Sequence, residues 1–286
     1  VTGIVYVNGE YLPAEEAKIS VFDRGFLMAD AIYELTAVVD GKLIDFPAHL
    51  ARLDRSLAEL DIVNPHGYDE WLALHRELVA RNAVTEGSVY VEVTRGNTGE
   101  RAFEYPPAEI PPTVVAFATN RPGIVDSPAA AAGLRIVTLP DLRWQRRDIK
   151  TVQLIYQAQA KMLAKRAGAD DGWLVEDGFV TEGTSNNAYI VRKGRIVTRP
   201  LGNDILHGIT RASLLRFARE AQMEVEERQF TVAEAQAADE AFITSATGFV
   251  TPVVEIDGTA VGTGKPGPVA LRLREIYIDE SRKTAL

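Results

Sequence analysis

Three features of the sequence predict an α+β fold in two domains. Short β-rich runs are joined by hairpin turns, apolar residues recur at helical spacing between them, and composition breaks once near the middle. Ile4 to Val7 runs into Asn8-Gly9, and a strand over Tyr33 to Val39 meets Lys42 to Phe46 across Asp40-Gly41. Such dipeptides favour the positive φ angles of tight hairpins. Pro47 opens a helix at its favoured first position, and Leu50, Leu53, Leu57 and Leu60 form one apolar face. A second helix is expected over Tyr68 to Arg81, then strands over Ser88 to Arg95 and Thr113 to Thr119. Residues 121–133 (Arg121-Pro122-Gly123 through Ser127-Pro128 and a run of alanines) lack periodicity and read as a linker. That leaves a small N-terminal α/β domain, 1–120, and a larger C-terminal domain, 134–286.

In the second half, strands are expected at Leu134 to Leu139 and Gly172 to Glu176. Asp177-Gly178 and Lys193-Gly194 turn further hairpins, and two more strands cover Glu240 to Ser245 and Val250 to Ile256. Helices are expected over Val152 to Arg166, after Gly208, and over Val269 to Ile278. The order is mixed, without strict βαβ alternation, and no internal repeat is visible.

Composition excludes several function classes. A formal charge of −9 disfavours a non-specific nucleic-acid surface, and the absence of cysteine excludes thiol nucleophiles, disulfides and thiolate metal sites. Four histidines without a His-x-x-x-His pair make a histidine metal centre improbable, so no metal is expected. No apolar run reaches the length of a membrane span. Val1-Thr2-Gly3-Ile4 leads into a strand pattern without a charged-then-apolar signal, so a cytoplasmic location is expected.

Chemistry concentrates in four motifs. Lysine is scarce, eight against twenty-three arginines, and most lysines fall in turns, edges or the tail. Lys150 precedes the uncharged run Thr151 to Ala160, so the neighbourhood of Lys150 is expected to be buried. Burial makes a neutral, nucleophilic amine easier to hold. Read alone, Lys150 fits equally a loop lysine paired with Asp148. Glu182, in Val180-Thr181-Glu182-Gly183-Thr184-Ser185-Asn186-Asn187, is either a solvated hairpin acid or a carboxylate partner for a ring nitrogen. Thr184, Ser185 and Asn186 offer short polar side chains beside it. Gly208-Ile209-Thr210-Arg211 opens an amphipathic helix whose N-terminus suits an anion, although Thr210 fits an ordinary helix start as well. Ser245-Ala246-Thr247-Gly248 adds a loop of backbone donors.

In this order and spacing the motifs closely resemble the fold-type IV pyridoxal-phosphate enzymes, and among them the D-amino-acid transaminases. The likeness runs from Tyr6-Val7-Asn8-Gly9 to the Asp257-Gly258 turn. It implies pyridoxal 5′-phosphate bound in the C-terminal domain and held covalently by Lys150. Glu182 matches the acid that keeps the pyridine nitrogen protonated, and Leu206 the residue packed on the ring. Arg52, Gly208, Ile209, Thr210, Ser245, Ala246 and Thr247 match the phosphate side. Tyr33 and Glu34 match a hairpin aromatic and acid bordering the substrate cavity. The family's loop carrying a carboxylate-binding arginine and histidine crosses a dimer interface. Here Arg101 is retained, Phe103 stands at the histidine position, and the loop is one residue longer.

The resemblance implies a homodimeric transaminase moving amino groups between D-amino acids and 2-oxo acids by a ping-pong mechanism. Phe103 removes a charge-assisted donor, which keeps an (R)-selective amine transaminase as the alternative. A branched-chain aminotransferase is disfavoured by Ile155, five positions past the lysine, where those enzymes carry tyrosine. An aminodeoxychorismate-lyase-like enzyme and a catalytically silent binding protein are the remaining readings.

Overall fold

A computed structural model describes residues 3–286; Val1 and Thr2, the start of the leader-free reading, lie outside the described residues. Two compact units emerge. The first comprises Val1–Ile124, Ile149–Gln153 and Thr284–Leu286, and the second Val125–Asp148 and Leu154–Lys283. The segment 121–133 is therefore divided between them.

The first unit contains β1 (Ile4–Val7), β2 (Glu10–Pro13), α1 (Arg24–Met28), β3 (Ala31–Val39), β4 (Lys42–Leu43), α2 (Phe46–Glu59), α3 (Tyr68–Arg81), β5 (Gly87–Thr94) and β6 (Thr113–Asn120). Its six strands form an antiparallel sheet in the order β2-β1-β6-β5-β3-β4. The expected turns are present: Asn8-Gly9 and Asp40-Gly41 have positive φ at both positions. Alternation along β3 and β5 sends Ile32, Val38, Val89, Val91 and Val93 to one face, where they join Leu50, Leu53 and Leu57 of α2 and Trp71, Leu74 and Leu78 of α3. Ile149 enters the same core, which anchors the short segment around Lys150 in this unit.

The second unit contains α4 (Pro128–Ala132), β7 (Leu134–Pro140), α5 (Ile155–Arg166), β8 (Asp171–Glu176), β9 (Phe179–Gly183), β10 (Asn187–Arg192), β11 (Arg195–Thr198), α6 (Ile209–Glu220), β12 (Val225–Glu227), α7 (Val232–Gln236), β13 (Glu240–Ser245), β14 (Phe249–Ile256), β15 (Thr259–Ala260) and α8 (Pro268–Thr284). Its sheet runs β12-β11-β10-β13-β14-β7-β8-β9, with β15 beside β14. The β11–β12, β14–β7 and β7–β8 pairs are parallel. A stacked Tyr189–Phe242 pair and buried Trp173, Ile190, Phe230 and Ile256 fill the interior.

Several boundaries differ from the expectation. The helix expected from Val152 starts at Ile155, because Ile149–Gln153 is extended: Thr151 bridges Ile32 and the Val152 N–H donates to the Ala31 carbonyl. The immediate neighbours of Lys150 are buried, Asp148, Ile149 and Thr151 among them, whereas Gln153, Ile155, Ala158 and Gln159 further along the uncharged run are exposed. Uncharged glutamine and alanine at a helix surface leave the same sequence trace as burial. Residues 128–132 form one helical turn inside the expected linker, and α8 runs six residues past Ile278, to Thr284.

His75 supplies a test of the first core. Its ring is buried on α3, edge-on to Phe46, with Nδ1 against the Trp71 carbonyl at 2.7 Å. Burial pushes its pKa down to about 4, against the opposing pull of the Trp71 carbonyl. The unfolded chain, near 6.5, therefore binds the proton first as pH falls. This term is fully present above 6.5 and is lost between 6.5 and about 4, at most about 3 kcal/mol. His75→Phe should flatten that part of the stability curve in urea titrations. An unchanged pH slope in the variant would show that the His75 pKa does not shift on folding.

Candidate active site

In the first unit, Lys150 lies in the extended segment Ile149–Gln153. Its carbonyl accepts from the Tyr33 N–H at 2.9 Å, and its N–H lies 3.4 Å from Ser56 Oγ. The ammonium nitrogen sits 4.1 Å from the centre of the Tyr33 ring, so sheet pairing fixes where the amine stands.

Tyr33 and Glu34 were expected on one border, yet neighbours in a strand point to opposite faces. Glu34 is buried on the helix side, where Arg52 forks onto it from Nε at 2.7 Å and Nη2 at 2.9 Å. His49 Nδ1 lies 2.8 Å from the same carboxylate. Burial pushes the Glu34 carboxyl up, but the Arg52 charge and these bonds outweigh it and hold the group well below the usual carboxylate range. Arg52 is thus locked in orientation by an acid on the adjoining strand.

Arg101 and Phe103 occupy the loop between β5 and β6. Both are exposed, with the guanidinium 5.1 Å from the Phe103 ring centre. The base of this loop is built by residues absent from the motif reading. Buried Arg24 donates to Asp30 from Nε at 2.7 Å and to the Ala102 and Glu104 carbonyls from Nη1 at 2.6 and 3.3 Å. Arg95 also holds Asp30, at 2.8 and 3.1 Å, and covers the Tyr105 ring at 3.6 Å. One arginine thereby ties down the main chain on both sides of Phe103.

In the second unit the centre is Glu182, 3% exposed at the end of β9. Arg143 Nη1 donates to it at 2.6 Å, Asn187 Nδ2 at 3.0 Å, and the Leu206 N–H is shared by its two oxygens at 3.2 and 3.1 Å. Arg143 also serves Asp141, at 2.9 and 2.6 Å. Asp141 is held below its ordinary value despite burial, whereas burial raises Glu182 against the pull of Arg143 and the Leu206 N–H. One guanidinium divided between two carboxylates leaves Glu182 the less compensated, able to take one more cationic donor. Arg143 and Asn187 were missed by the motif reading. The sequence signal was faint: an arginine-rich Arg143, Arg146, Arg147 run between acids.

The polar turn after Glu182 is organised by Asp171. Thr184 Oγ1 donates to it at 2.6 Å and Asn186 Nδ2 at 2.8 Å, while Ser185 is left exposed. Lys161, on the exposed side of α5, reaches the same acid at 3.0 Å.

α6 starts at Gly208 with no side-chain cap and no acid in its first turn, so its first N–H groups keep their capacity for an anion. A β-carbon on Gly208 would fall 2.1 Å from Asn187 Oδ1, so the helix start is pressed against the residue that supports Glu182. Asn187 faces Thr244 in the β10–β13 register, which brings the next residues, Ser245-Ala246-Thr247, to the same end of the sheet. There Ser245 Oγ accepts from the Gly248 N–H, and Arg274 Nη1 donates to the Gly248 carbonyl at 2.7 Å. Leu206, Gly208, Ile209, Thr210 and the 245–247 turn therefore border one region, together with Glu182. Among the described residues there is no cluster of side chains suited to a metal ion.

Comparison with known proteins identifies the family. Residues 31–256 match the family described as Amino-transferase class IV. The chain is 36% identical over 271 residues to a D-alanine aminotransferase of Staphylococcus haemolyticus, covering 95% of each. A D-alanine aminotransferase of Bacillus licheniformis is 36% identical over 286 residues, covering 98% of this chain and 99% of that one. Among solved structures, a T.th. branched-chain amino acid aminotransferase with pyridoxamine 5′-phosphate superposes with a TM-score of 0.89 at 29% identity, over 98% and 94% of the two chains. This chain belongs to the class IV aminotransferases, the fold-type IV group.

The Arg24 anchor is directly testable. Arg24→Ala should speed tryptic cleavage at Arg101 roughly tenfold, the effect of about 1.4 kcal/mol of lost local stability. Far-UV circular dichroism should stay unchanged. Cleavage at the wild-type rate would mean that the loop is held by other contacts.

Proposed function

We propose that the protein is a pyridoxal-phosphate-dependent transaminase that moves an amino group between D-amino acids and 2-oxo acids. The observation carrying this reading is the under-compensated Glu182, buried beside an uncapped helix start in a chain of the aminotransferase family. The full-length similarity to D-alanine aminotransferases supports the D-amino-acid substrate class.

The donor set fits the cofactor. Glu182 has room for a protonated ring nitrogen, and Leu206 lies next to it through its N–H. Ile209, Thr210 and the Ser245-Ala246-Thr247 turn offer backbone and hydroxyl donors to a phosphate. Thr184 and Asn186 act on the ring through the Asp171-held turn, which presents Ser185. In the first unit, Arg52 is the phosphate-facing cation, oriented by Glu34. When bound, pyridoxal phosphate supplies an electron sink for negative charge developing at the substrate α-carbon.

Within this chemistry Lys150 has two tasks. Its ε-amine holds the cofactor, and once freed by the incoming amino group it takes the proton from the substrate α-carbon. The amine's position 4.1 Å from the Tyr33 ring is set by main-chain bonds, so it can leave and return without a backbone change. Glu182 keeps the ring nitrogen protonated throughout.

The reading extends to a cytoplasmic homodimer in which Arg101 meets the substrate carboxylate of the partner's site. Exposed Val21, Phe22, Phe26, Phe103 and Tyr105 in the first unit support an apolar contact surface of that kind. A second reading, an (R)-selective amine transaminase, draws on Phe103: with no imidazole at that position, Arg101 stacks on a ring.

Borohydride reduction of the holoenzyme followed by peptide mapping should place the cofactor on Lys150. Lys150→Ala should remove both the yellow absorbance and amino transfer while the protein stays folded. Wild-type turnover with D-alanine should exceed that with L-alanine and with (R)-1-phenylethylamine. Labelling of another lysine would overturn the assignment, and faster turnover of the amine would favour the second reading.

A further inference from the structure

We propose that Glu92 selects the substrate side chain, turning acidic side chains away from Lys150 and admitting neutral ones. The inference rests on the transaminase reading of Lys150 and concerns the face of the first unit's sheet opposite the helices.

Register places the residues. Tyr33 faces Glu92 across β3 and β5, Leu35 faces Tyr90, and Tyr90 faces Phe117 across β5 and β6. Because direct partners share a face, these side chains stand together. Tyr33 stacks on Tyr90 with ring centres 5.5 Å apart and 25° between planes, and Tyr90 on Phe117 at 4.8 Å and 24°. The result is an aromatic shelf with the Lys150 amine at its Tyr33 end. On the β3, β5 and β6 positions of this face, Glu92 is the sole charged residue.

The electrostatic state of Glu92 contrasts with that of Glu34. Glu34 is neutralised by Arg52, whereas half-buried Glu92 has a neutral partner, the Tyr90 hydroxyl, donating at 2.7 Å. No ion pair involves Glu92 among the described residues. Burial pushes the Glu92 carboxyl up against the pull of the Tyr90 hydroxyl, and burial likewise raises Tyr90, which stays a neutral donor. A half-buried carboxylate without a countercharge is unfavourable for folding, and its field reaches whatever lies on the shelf.

A substrate reacting at Lys150 must bring its α-carbon to that amine. A side chain following the shelf then passes Tyr33 towards Glu92. The methyl group of an alanine-type substrate meets only rings. The second carboxylate of a dicarboxylic substrate meets a like charge, which is the usual form of rejection by repulsion.

The test compares acceptors and non-reactive analogues on the holoenzyme. Wild type should favour pyruvate over 2-oxoglutarate in kcat/KM by on the order of tenfold or more. Calorimetry should show butyrate binding more tightly than glutarate. Glu92→Gln keeps an acceptor for Tyr90 and removes the charge. It should shift both ratios towards the dicarboxylate by on the order of tenfold. Wild type that handles 2-oxoglutarate and glutarate as well as the monoacids overturns the proposal, as do ratios unmoved by Glu92→Gln. Failure of the transaminase reading would look different, as no amino transfer from any donor. The butyrate-to-glutarate ratio and its shift in Glu92→Gln would then decide the role of Glu92 alone.

Discussion

The placement of one buried carboxylate governs the second unit. Glu182 ends β9, and its ligands come from three other segments: Arg143 after β7, Asn187 at the start of β10, and Leu206 before α6. Removing any of these leaves charge or dipole unmet around an acid that is only 3% exposed, where the penalty reaches several kcal/mol. The same bonds fix the geometry around the helix start, because Asn187 both donates to Glu182 and touches Gly208. The guanidinium that makes burial of Glu182 tolerable is shared with Asp141, and that sharing leaves the acid able to hold a further cation.

The first unit uses a different device, the two-sidedness of a strand. β3 carries Glu34 on the helix side, where it orients Arg52, and Tyr33 on the other side, where it supports the Lys150 amine. Consecutive residues thereby serve separate tasks without competing for space. At the N-terminal end of the same strand, Asp30 gathers Arg24 and Arg95 and passes rigidity to the loop bearing Arg101 and Phe103. An exposed loop can then be long and polar yet hold its base in place.

Legibility in the sequence followed the range of the interaction. The Asn8-Gly9, Asp40-Gly41, Asp177-Gly178 and Lys193-Gly194 hairpins were visible because the positive φ of each turn is a local demand. α2 and α3 were visible because their leucines repeat at helical spacing. Lys150, Glu182 and Gly208 stood out through their motifs. Arg143, Asn187 and Arg24 did not, because each acquires its role only when strands distant in sequence bring an acid or a carbonyl within reach. The pairing of Glu34 with Arg52 could have been anticipated from strand alternation, and the exposed run after Lys150 could not, since a lack of charge does not distinguish a buried segment from an alanine- and glutamine-rich surface. Short α1 and α7 carry too few residues for periodicity to register.

The coupling between Arg143 and Glu182 tests the account most directly. Half-reaction rates with D-alanine would be compared for wild type, Arg143→Met, Glu182→Gln and the double variant. If Arg143 acts through Glu182, the double variant should be no slower than Glu182→Gln alone, with a coupling energy on the order of 1–3 kcal/mol. Purely additive losses would mean that the two residues act independently, and would contradict the central role given to their pairing.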